Sequence, residues 1–547
     1  MSIYDILSLL GGLGLFLFGM KLMSEGLELT AGSKLQKVLK TLTSNKFMGA
    51  AVGLFITAII QSSSATTVMV VGFVNAGLMS LAQAAGVIMG ANIGTTITSV
   101  LVAINPKQIA PVAVIAGAVM VAFFKKKSVT HVGQIIVGLG ILFMGLNMMS
   151  DAMVPLRDYE PFLNIMVEFS KNPFLGLLAG MLVTAIIQSS SASVAILQAF
   201  AMQGLIRIDA AVFILFGQNI GTCVTALLAS VGTNKTARRA AVVHLLFNVM
   251  GTVLFIGLFF VGEWTVVPSF TEVLEFIVPG NNTTAQISVA HIIFNIVSTL
   301  VMLPASNLLV KLSRKIIRGE DKQIVELKPK YIDDRLLNTP AIAVAQVLRE
   351  VERMSDLARE NMLLAMKAFE KLDDKMINEV LQREKTINFL NHTITAFLIK
   401  LNILEQQERD AKIIGALFHI VNDLERVGDH AENITDDAKR CIDSGNKLSL
   451  SALSELKDMF NMALDVYDRA IVIFKRQKFT DKEIALIAQV EEDVDLMADH
   501  LEENHIRRLN MGECTPQAGT VFINMVSNLE RFADHSTNIA YAVVDES

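Results

Sequence analysis

Two polar tetrads interrupt long apolar stretches of this chain: Gln61-Ser62-Ser63-Ser64 and Gln188-Ser189-Ser190-Ser191. No Asp, Glu, Lys, Arg or His lies between Met48 and Pro106, or between Asn172 and Ile206, so any chemistry there falls to neutral groups. Side-chain amides, hydroxyls and carbonyls released where a helix breaks supply oxygen ligands suited to a hard cation such as Na+. Serine hydroxyls and the free N–H groups of a helix N-terminus can hold an oxyanion without an arginine. A bound Na+ would offset much of the anion's charge, which is a physical reason to couple the two. Thr66, Asn92 and Thr95 extend the first polar set, and Ser193, Asn219 and Thr222 the second. Hydroxyls that merely bond neighbouring membrane helices would explain one isolated cluster. They do not explain two matched ones.

The match extends well beyond the tetrads. TAIIQSSSA runs from Thr57 to Ala65 and again from Thr184 to Ala192, and GANIGTT at Gly90–Thr96 returns as GQNIGTC at Gly217–Cys223. GLGLFLFGMKLMSEG at Gly12–Gly26 is echoed by GLGILFMGLNMMSDA at Gly138–Ala152. A segment repeated internally reads as a mature span and not as a cleaved signal. HLLFN at His244–Asn248 and HIIFN at His291–Asn295 form a further pair, whose His and Asn share a helix face. Those pairs fit either interhelical hydrogen bonding or an ion relay.

Apolar segments near the ~20 residues needed to cross a bilayer fall at about 5–23, 82–104, 109–124, 131–149, 209–230, 240–261 and 288–311. The two stretches holding the tetrads, about 48–77 and 174–203, are too short to cross twice and read as re-entrant hairpins. Hairpins that do not cross place Lys125–Lys127 and Lys235, Arg238 and Arg239 on the side of Lys311, Arg314, Lys315 and Arg318, which is the cytoplasm by the positive-inside rule. The acidic residues Asp151, Asp158, Glu160 and Glu168 then lie outside, as does the N-terminus. Each repeat holds three crossings, so the copies are inverted and their tetrads meet near the midplane, where inverted-repeat carriers keep their sites.

Composition divides the chain. Residues 1–310 carry 15 Lys+Arg and 11 Asp+Glu, whereas residues 311–547 carry 32 and 42. The first part is too apolar for a soluble domain, and the second reads as a charged, helical one. Its acidic balance argues against a nucleic-acid partner. Cys223, Cys441 and Cys514 are too scattered for a disulfide framework. The expected fold is all-α. A membrane domain spans 1–311 (repeat 1 about 5–124, repeat 2 about 131–261, extra span 288–311), followed by a linker at 312–340 and a helical domain at 341–547. No catalytic constellation is present, so the reading is of a non-enzyme.

In the second part, NDLERVGDHAENI at Asn422–Ile434 returns as SNLERFADHSTNI at Ser527–Ile539. Glu425 with Asp429, and Glu530 with Asp534, are each four apart on a helix, where like charges repel unless a cation sits between them. A solvated acidic face is the alternative.

The doubled QSSS with its NIGT partners resembles the type II sodium–phosphate cotransporter family over roughly residues 5–311. That resemblance implies Na+-coupled transport of inorganic phosphate through a bacterial inner membrane. By matching motif, Gln61, Ser62, Ser63, Ser64, Thr66, Gln188, Ser189, Ser190, Ser191 and Ser193 would line the site, with the Asn92 and Asn219 regions beside them. The LER-x-x-DH signature resembles PhoU over about 341–545. It implies a cytoplasmic six-helix regulatory bundle in which Glu425, Asp429, Glu530 and Asp534 ligate iron, zinc or another divalent metal. A second copy or a regulatory protein would be the partner of that bundle. A sensor without transport and a carrier of another oxyanion are the alternatives.

Overall fold

The computed structural model describes residues 2–40, 45–104, 109–264, 268–280, 282–319, 329–404 and 408–545. These residues are helical with no strand among them, and the chain divides into two compact units, Met1–Gln323 and Ile324–Ser547. Residues 320–328 of the expected linker lie outside the described residues.

The first unit runs α1 (Ile3–Lys40), α2 (Lys46–Ile60), α3 (Ser63–Asn75), α4 (Leu81–Ile104), α5 (Ile109–Phe123), α6 (Lys127–Ala152), α7 (Glu160–Lys171), α8 (Pro173–Ile187), α9 (Ser190–Met202), α10 (Ile208–Gly221), α11 (Cys223–Ala229), α12 (Lys235–Trp264), α13 (Phe270–Ile277), α14 (Thr283–Met302) and α15 (Ser306–Ile316). Among the described residues, six helical stretches are long and apolar enough to cross a membrane: Ile3–Ala31, Leu81–Ile104, Lys127–Asp158, Ile208–Ala229, Lys235–Phe260 and Thr283–Met302. α5, expected as a further span, has 15 residues, which at ~1.5 Å per residue falls short of the ~30 Å hydrocarbon core. The span expected over 288–311 is also interrupted. α14 stops at Met302 ahead of Pro304, which has no N–H to continue the helical ladder, and α15 resumes with Arg314 and Lys315 in its last turn.

Small residues decide how the elements pack. α1 lies on α6 with glycine against glycine: a Cβ on Gly19 would stand 2.6 Å from the Gly138 oxygen, and one on Gly12 would stand 2.8 Å from that of Gly145. α2 lies on α4 so closely that a Cβ on Gly90 would collide with the Ala50 oxygen, and α8 lies on α10 so closely that a Cβ on Gly217 would collide with the Leu177 oxygen. These are the closest approaches that helices make, and they hold the first arm of each broken segment against the helix carrying its NIG motif. The aromatic cluster of Phe213, Phe216, Phe255, Phe259, Phe270 and Phe294 fills the space between α10, α12, α13 and α14.

The second unit contains α16 (Pro340–Lys371), α17 (Asp374–Asn402), α18 (Glu408–Ser444), α19 (Leu450–Arg476), α20 (Asp481–Asn510) and α21 (Pro516–Asp545). Ile414, Leu417, Val421 and Leu424 form one fully buried seam of α18, because their 3–4–3 spacing keeps them on one face. Caps mark the repeats: Asp373 opens α17 and Thr480 opens α20, each with a side-chain oxygen on a first-turn N–H.

Gly90→Val and Gly217→Val should each forfeit folded protein, since overpacking costs about 1–3 kcal/mol before any backbone shift. Gly14→Ala, where nothing lies within 4 Å of the new carbon, should be neutral. Size-exclusion profiles of the detergent-extracted variants measure this, and indistinguishable profiles for all three would refute the packing argument.

Candidate functional site

Both tetrads are helix breaks of one design. α2 ends at Gln61 in a left-handed conformation (φ 55°), and Ser62 caps α3 by accepting the Ala65 N–H at 3.1 Å. α8 ends at Gln188 (φ 57°), and Ser189 caps α9 through the Ala192 N–H at 3.3 Å. A non-glycine residue held left-handed stores about 1–3 kcal/mol, and both copies place it at the glutamine. The serines therefore occupy the N-cap and first turn of α3 and α9, where backbone N–H groups lack intrahelical partners. Carbonyls at the end of the preceding helix lack partners for the same reason. Donors and acceptors meet at each break, as an anion with its counter-cation requires.

The two breaks differ in their surroundings. In repeat 1, Thr98 Oγ1 donates to Gln61 Oε1 (2.8 Å), Thr57 and Thr66 join hydroxyls (2.9 Å), and Ser24 Oγ donates to the Ile60 carbonyl (2.5 Å). The corresponding residues of repeat 2 make none of these bonds among the described residues. Thr225 Oγ1, Thr184 Oγ1 and Ser193 Oγ are buried without partners, Gln188 is exposed where Gln61 is buried, and Ser150 instead accepts from Gln203 at 2.7 Å. A buried hydroxyl without a partner is costly, so repeat 1 is the bonded arrangement of this structure and repeat 2 the released one.

Ser63, Ser190 and Ser191 are buried, and Ser62, Ser64 and Ser189 are half-buried. Asn92, Thr95, Asn219 and Thr222 are all buried. Asn92 Nδ2 bonds the Ile88 carbonyl, Thr95 that of Ala91, and Thr222 that of Gln218. Thr222 also marks a break between α10 and α11 that the continuous α4 lacks. Asn219 keeps a buried, unpartnered Nδ2.

Sequence reasoning missed a polar knot across the repeats. Gln198 of α9 donates to Ser288 Oγ of α14 (2.8 Å) and to the Ser99 carbonyl of α4 (3.1 Å), which Ser288 also bonds at 2.7 Å. The available signal was a lone amide in an apolar run. In the HxxxN pairs, Asn248 and Asn295 each turn an amide back onto the carbonyl of their own His, and Asn248 also reaches Cys223 Sγ at 3.3 Å. His244 and His291 are buried, and both ring nitrogens of His244 and Nδ1 of His291 lack hydrogen-bond partners.

In the second unit, Glu530 and Asp534 share a face of α21 with their neighbours on α20. Ligand atoms of Glu491, Asp495 and Asp534 all lie within 4.8 Å of one another. Burial and then the mutual repulsion of these carboxylates raise the pKa of Glu491 and of Asp495. Glu491 and Asp495 also escaped the sequence reading, although they repeat the four-residue spacing of Glu530 and Asp534. In the first repeat Arg426 stands 3.2 Å from Asp429 and 3.8 Å from Glu425. Burial, then Asp429, Glu432 and Glu425, pushes Glu384 up to about 8. Asn388 occupies the place of Asp495. The motif histidines bridge the repeats: His430 Nδ1 meets Asn528 Oδ1 and His535 Nδ1 meets Asp423 Oδ1, both at 3.0 Å.

Thr98→Val should lower apparent thermal stability by the equivalent of about 1–3 kcal/mol, because it strands a buried glutamine oxygen. Thr225→Val, which removes an unpartnered hydroxyl, should cost little. Unfolding of the purified variants followed by intrinsic fluorescence decides it, and equal losses would refute the bonded-versus-released distinction.

The family described as Na+/Pi-cotransporter matches residues 15–151 and 159–264, and the PhoU domain matches residues 351–438 and 456–543. A protein of Escherichia coli K12 named "Putative inorganic phosphate export protein YjbB" is 23% identical over 547 residues, covering 99% of this chain and 98% of that one. The uncharacterized protein YqeW of Bacillus subtilis is 34% identical over 241 residues, 44% of this chain and 78% of its own. Rat sodium-dependent phosphate transport protein 2A is 36% identical over 98 residues, 18% of this chain and 15% of its own. Two matched helix breaks in an apolar helical unit, joined to a charged helical unit of doubled LER-x-x-DH repeats, agree with these likenesses: the chain belongs to the Na+/Pi-cotransporter family and carries a PhoU domain.

Proposed function

We propose that this multi-pass membrane protein carries inorganic phosphate across the bacterial inner membrane, coupled to Na+, through the two QSSS breaks. The carrying observation is that two equivalent breaks, built alike, stand in different states, one bonded and one released. Inverted-repeat carriers alternate access by moving one repeat against the other around a fixed site, and a difference between the two repeats is what a single captured state would present. Phosphate would be held by Ser62–Ser64 and Ser189–Ser191 with first-turn N–H groups of α3 and α9, and Na+ by neutral oxygens of Gln61, Thr66, Gln188, Ser193, Asn92, Thr95, Asn219 and Thr222. The tetrad segments are read as re-entrant, with the N-terminus outside and the PhoU domain in the cytoplasm, where it regulates transport according to phosphate status.

Labelled phosphate flux in proteoliposomes with imposed Na+ gradients of either sign, against K+ controls, tests this reading. Wild type should show Na+-dependent flux, and Ser63→Ala/Ser190→Ala should abolish it. Phosphate flux unaffected by Na+ would remove the coupling, and no flux from folded protein would remove the carrier reading.

The PhoU domain further fits a divalent metal at Glu491, Asp495, Glu530 and Asp534. Three of these groups converge, and their mutual repulsion favours a cation between them. A metal there would supply charge neutralisation that locks α20 to α21. The Glu425–Asp429 pair is already partly balanced by Arg426 and is the weaker site. Metal content of purified full-length protein should fall by more than half in Asp534→Asn and change little in Asp429→Asn. Equal metal in wild type and Asp534→Asn would end the assignment.

A further inference from the structure

At one end of the second PhoU repeat, the N-termini of α19 and α21 border a cavity of 120 Å³ lined by Lys447, Ser449, His505, Arg508, Thr515 and Phe522. Ser449 caps α19 through the Ala452 N–H, and Thr515 accepts the Ala518 N–H at the start of α21, each at 3.2 Å. The other first-turn N–H groups have no intrahelical partner, and both positive helix ends face the same space.

Two polar side chains at the cavity, the buried His505 and the partly buried Arg508, are incompletely satisfied. His505 is 3% exposed and makes no hydrogen bond among the described residues. Its ring stacks on Phe522 at 5.2 Å and backs onto the first turn of α21, where a Cβ on Gly519 would stand 2.6 Å from Nε2. Burial, then the charge of Arg508, lowers the His505 pKa, so the ring is neutral and keeps one N–H to donate. Arg508 is fixed from two sides: Nη1 bonds Glu455 at 2.7 Å, and the guanidinium lies 4.9 Å over the Phe522 ring. Its Nη2 is buried with no partner. Glu455 is itself occupied, since Asn504 bonds its other oxygen at 3.2 Å.

The internal repeat shows what this layer holds when it serves only the fold. Aligning the caps Asp373 and Thr480 places Leu398 opposite His505 and Leu401 opposite Arg508, and both leucines are fully buried. A leucine layer is sufficient for the bundle, and polar replacements there are unfavourable unless something bonds them. The volume is well below the ~300 Å³ at which drug-sized ligands begin, so one small group is the fitting occupant. Among the lining residues Glu513 alone is acidic, and it is exposed at the rim.

We infer that this cavity binds a small tetrahedral oxyanion of the inorganic phosphate class, held by Lys447, Arg508 Nη2, the His505 N–H and the first-turn amides of α19 and α21. The site is separate from the QSSS breaks and does not depend on the transport reading. It gives the PhoU domain a direct way to register free phosphate.

Cys514 lines the cavity as a partly exposed free thiol, while Cys223 and Cys441 are buried. The experiment measures the rate of Cys514 alkylation by N-ethylmaleimide in the full-length, detergent-purified protein, resolved by peptide mass spectrometry. Inorganic phosphate, chloride at equal ionic strength, and AMP are the additives. Phosphate should slow alkylation saturably, whereas chloride and AMP should not. Arg508→Lys keeps the Glu455 pair but loses Nη2, so its half-protecting phosphate concentration should rise about tenfold, the expected loss for one charge-assisted hydrogen bond. Lys447→Gln, at an exposed position where misfolding is not at issue, should raise it as well. Ser63→Ala/Ser190→Ala should leave protection intact, which separates this site from the transport site. Equal rates in phosphate and chloride, full protection in both cavity variants, protection by AMP, or loss of protection in the serine variant would each overturn the assignment.

Discussion

The obligation to pair every backbone polar group in an apolar interior governs the membrane unit. A helix meets it at every residue except its ends, so a break among apolar helices must find substitutes for the carbonyls and N–H groups it releases. Here the solution is compact: a left-handed glutamine turns the chain, a serine caps the next helix, and hydroxyls from adjoining helices reach the remaining carbonyl. Everything nearby serves that solution. The glycine contacts bring α2 against α4 and α8 against α10, and in the first copy they let Thr98 of α4 reach Gln61 at the break. On the proposed reading the same groups that satisfy the backbone would also be offered to a solute, so structural stability and ligand affinity would draw on a common set of hydrogen bonds.

The PhoU unit works under a different constraint. Its helices are amphipathic and bury aliphatic seams, so its informative positions are those where a buried layer turns polar. The His505–Arg508 layer is one such place, where the first repeat has leucine. The carboxylates between α20 and α21 lie nearer the surface, with Asp495 exposed where the first repeat has Asn388. Duplication thus supplied two scaffolds that bury different polar groups: Glu350, Asn361 and Glu384 in the first, His505 in the second. The histidines shared between α18 and α21 tie the copies together through Asn528 and Asp423.

Much of this was legible in the sequence because the signals were periodic or doubled. The all-helical character, the break at each tetrad and the four-residue carboxylate spacing all follow from pattern. What escaped depends on contacts between distant segments. Gln198 is a lone amide whose partners lie on α4 and α14, so no local spacing marks it. α5 matches its apolar run but is too short for a full crossing, and Pro304 ends α14 where hydropathy alone continued. The most consequential omission was conformational. TAIIQSSSA is identical in both copies, yet Gln61 is buried and Gln188 exposed, because the difference lies in how each copy meets its surroundings.

That difference bears on the energetics of a reversible machine. If repeat 2 took up the bonded arrangement while repeat 1 released its own, the three bonds around Gln61 would be exchanged for their counterparts around Gln188 with little change in their number. Near-degenerate end states leave the scaffold without a strong preference, and the equilibrium then answers to whatever binds the two states unequally. The places where the copies differ, Thr66 against Ser193 and Thr96 against Cys223, would set the remaining bias. In such a protein the vectorial sense of the work is written in the solutions on either side, and only its fine adjustment in the chain.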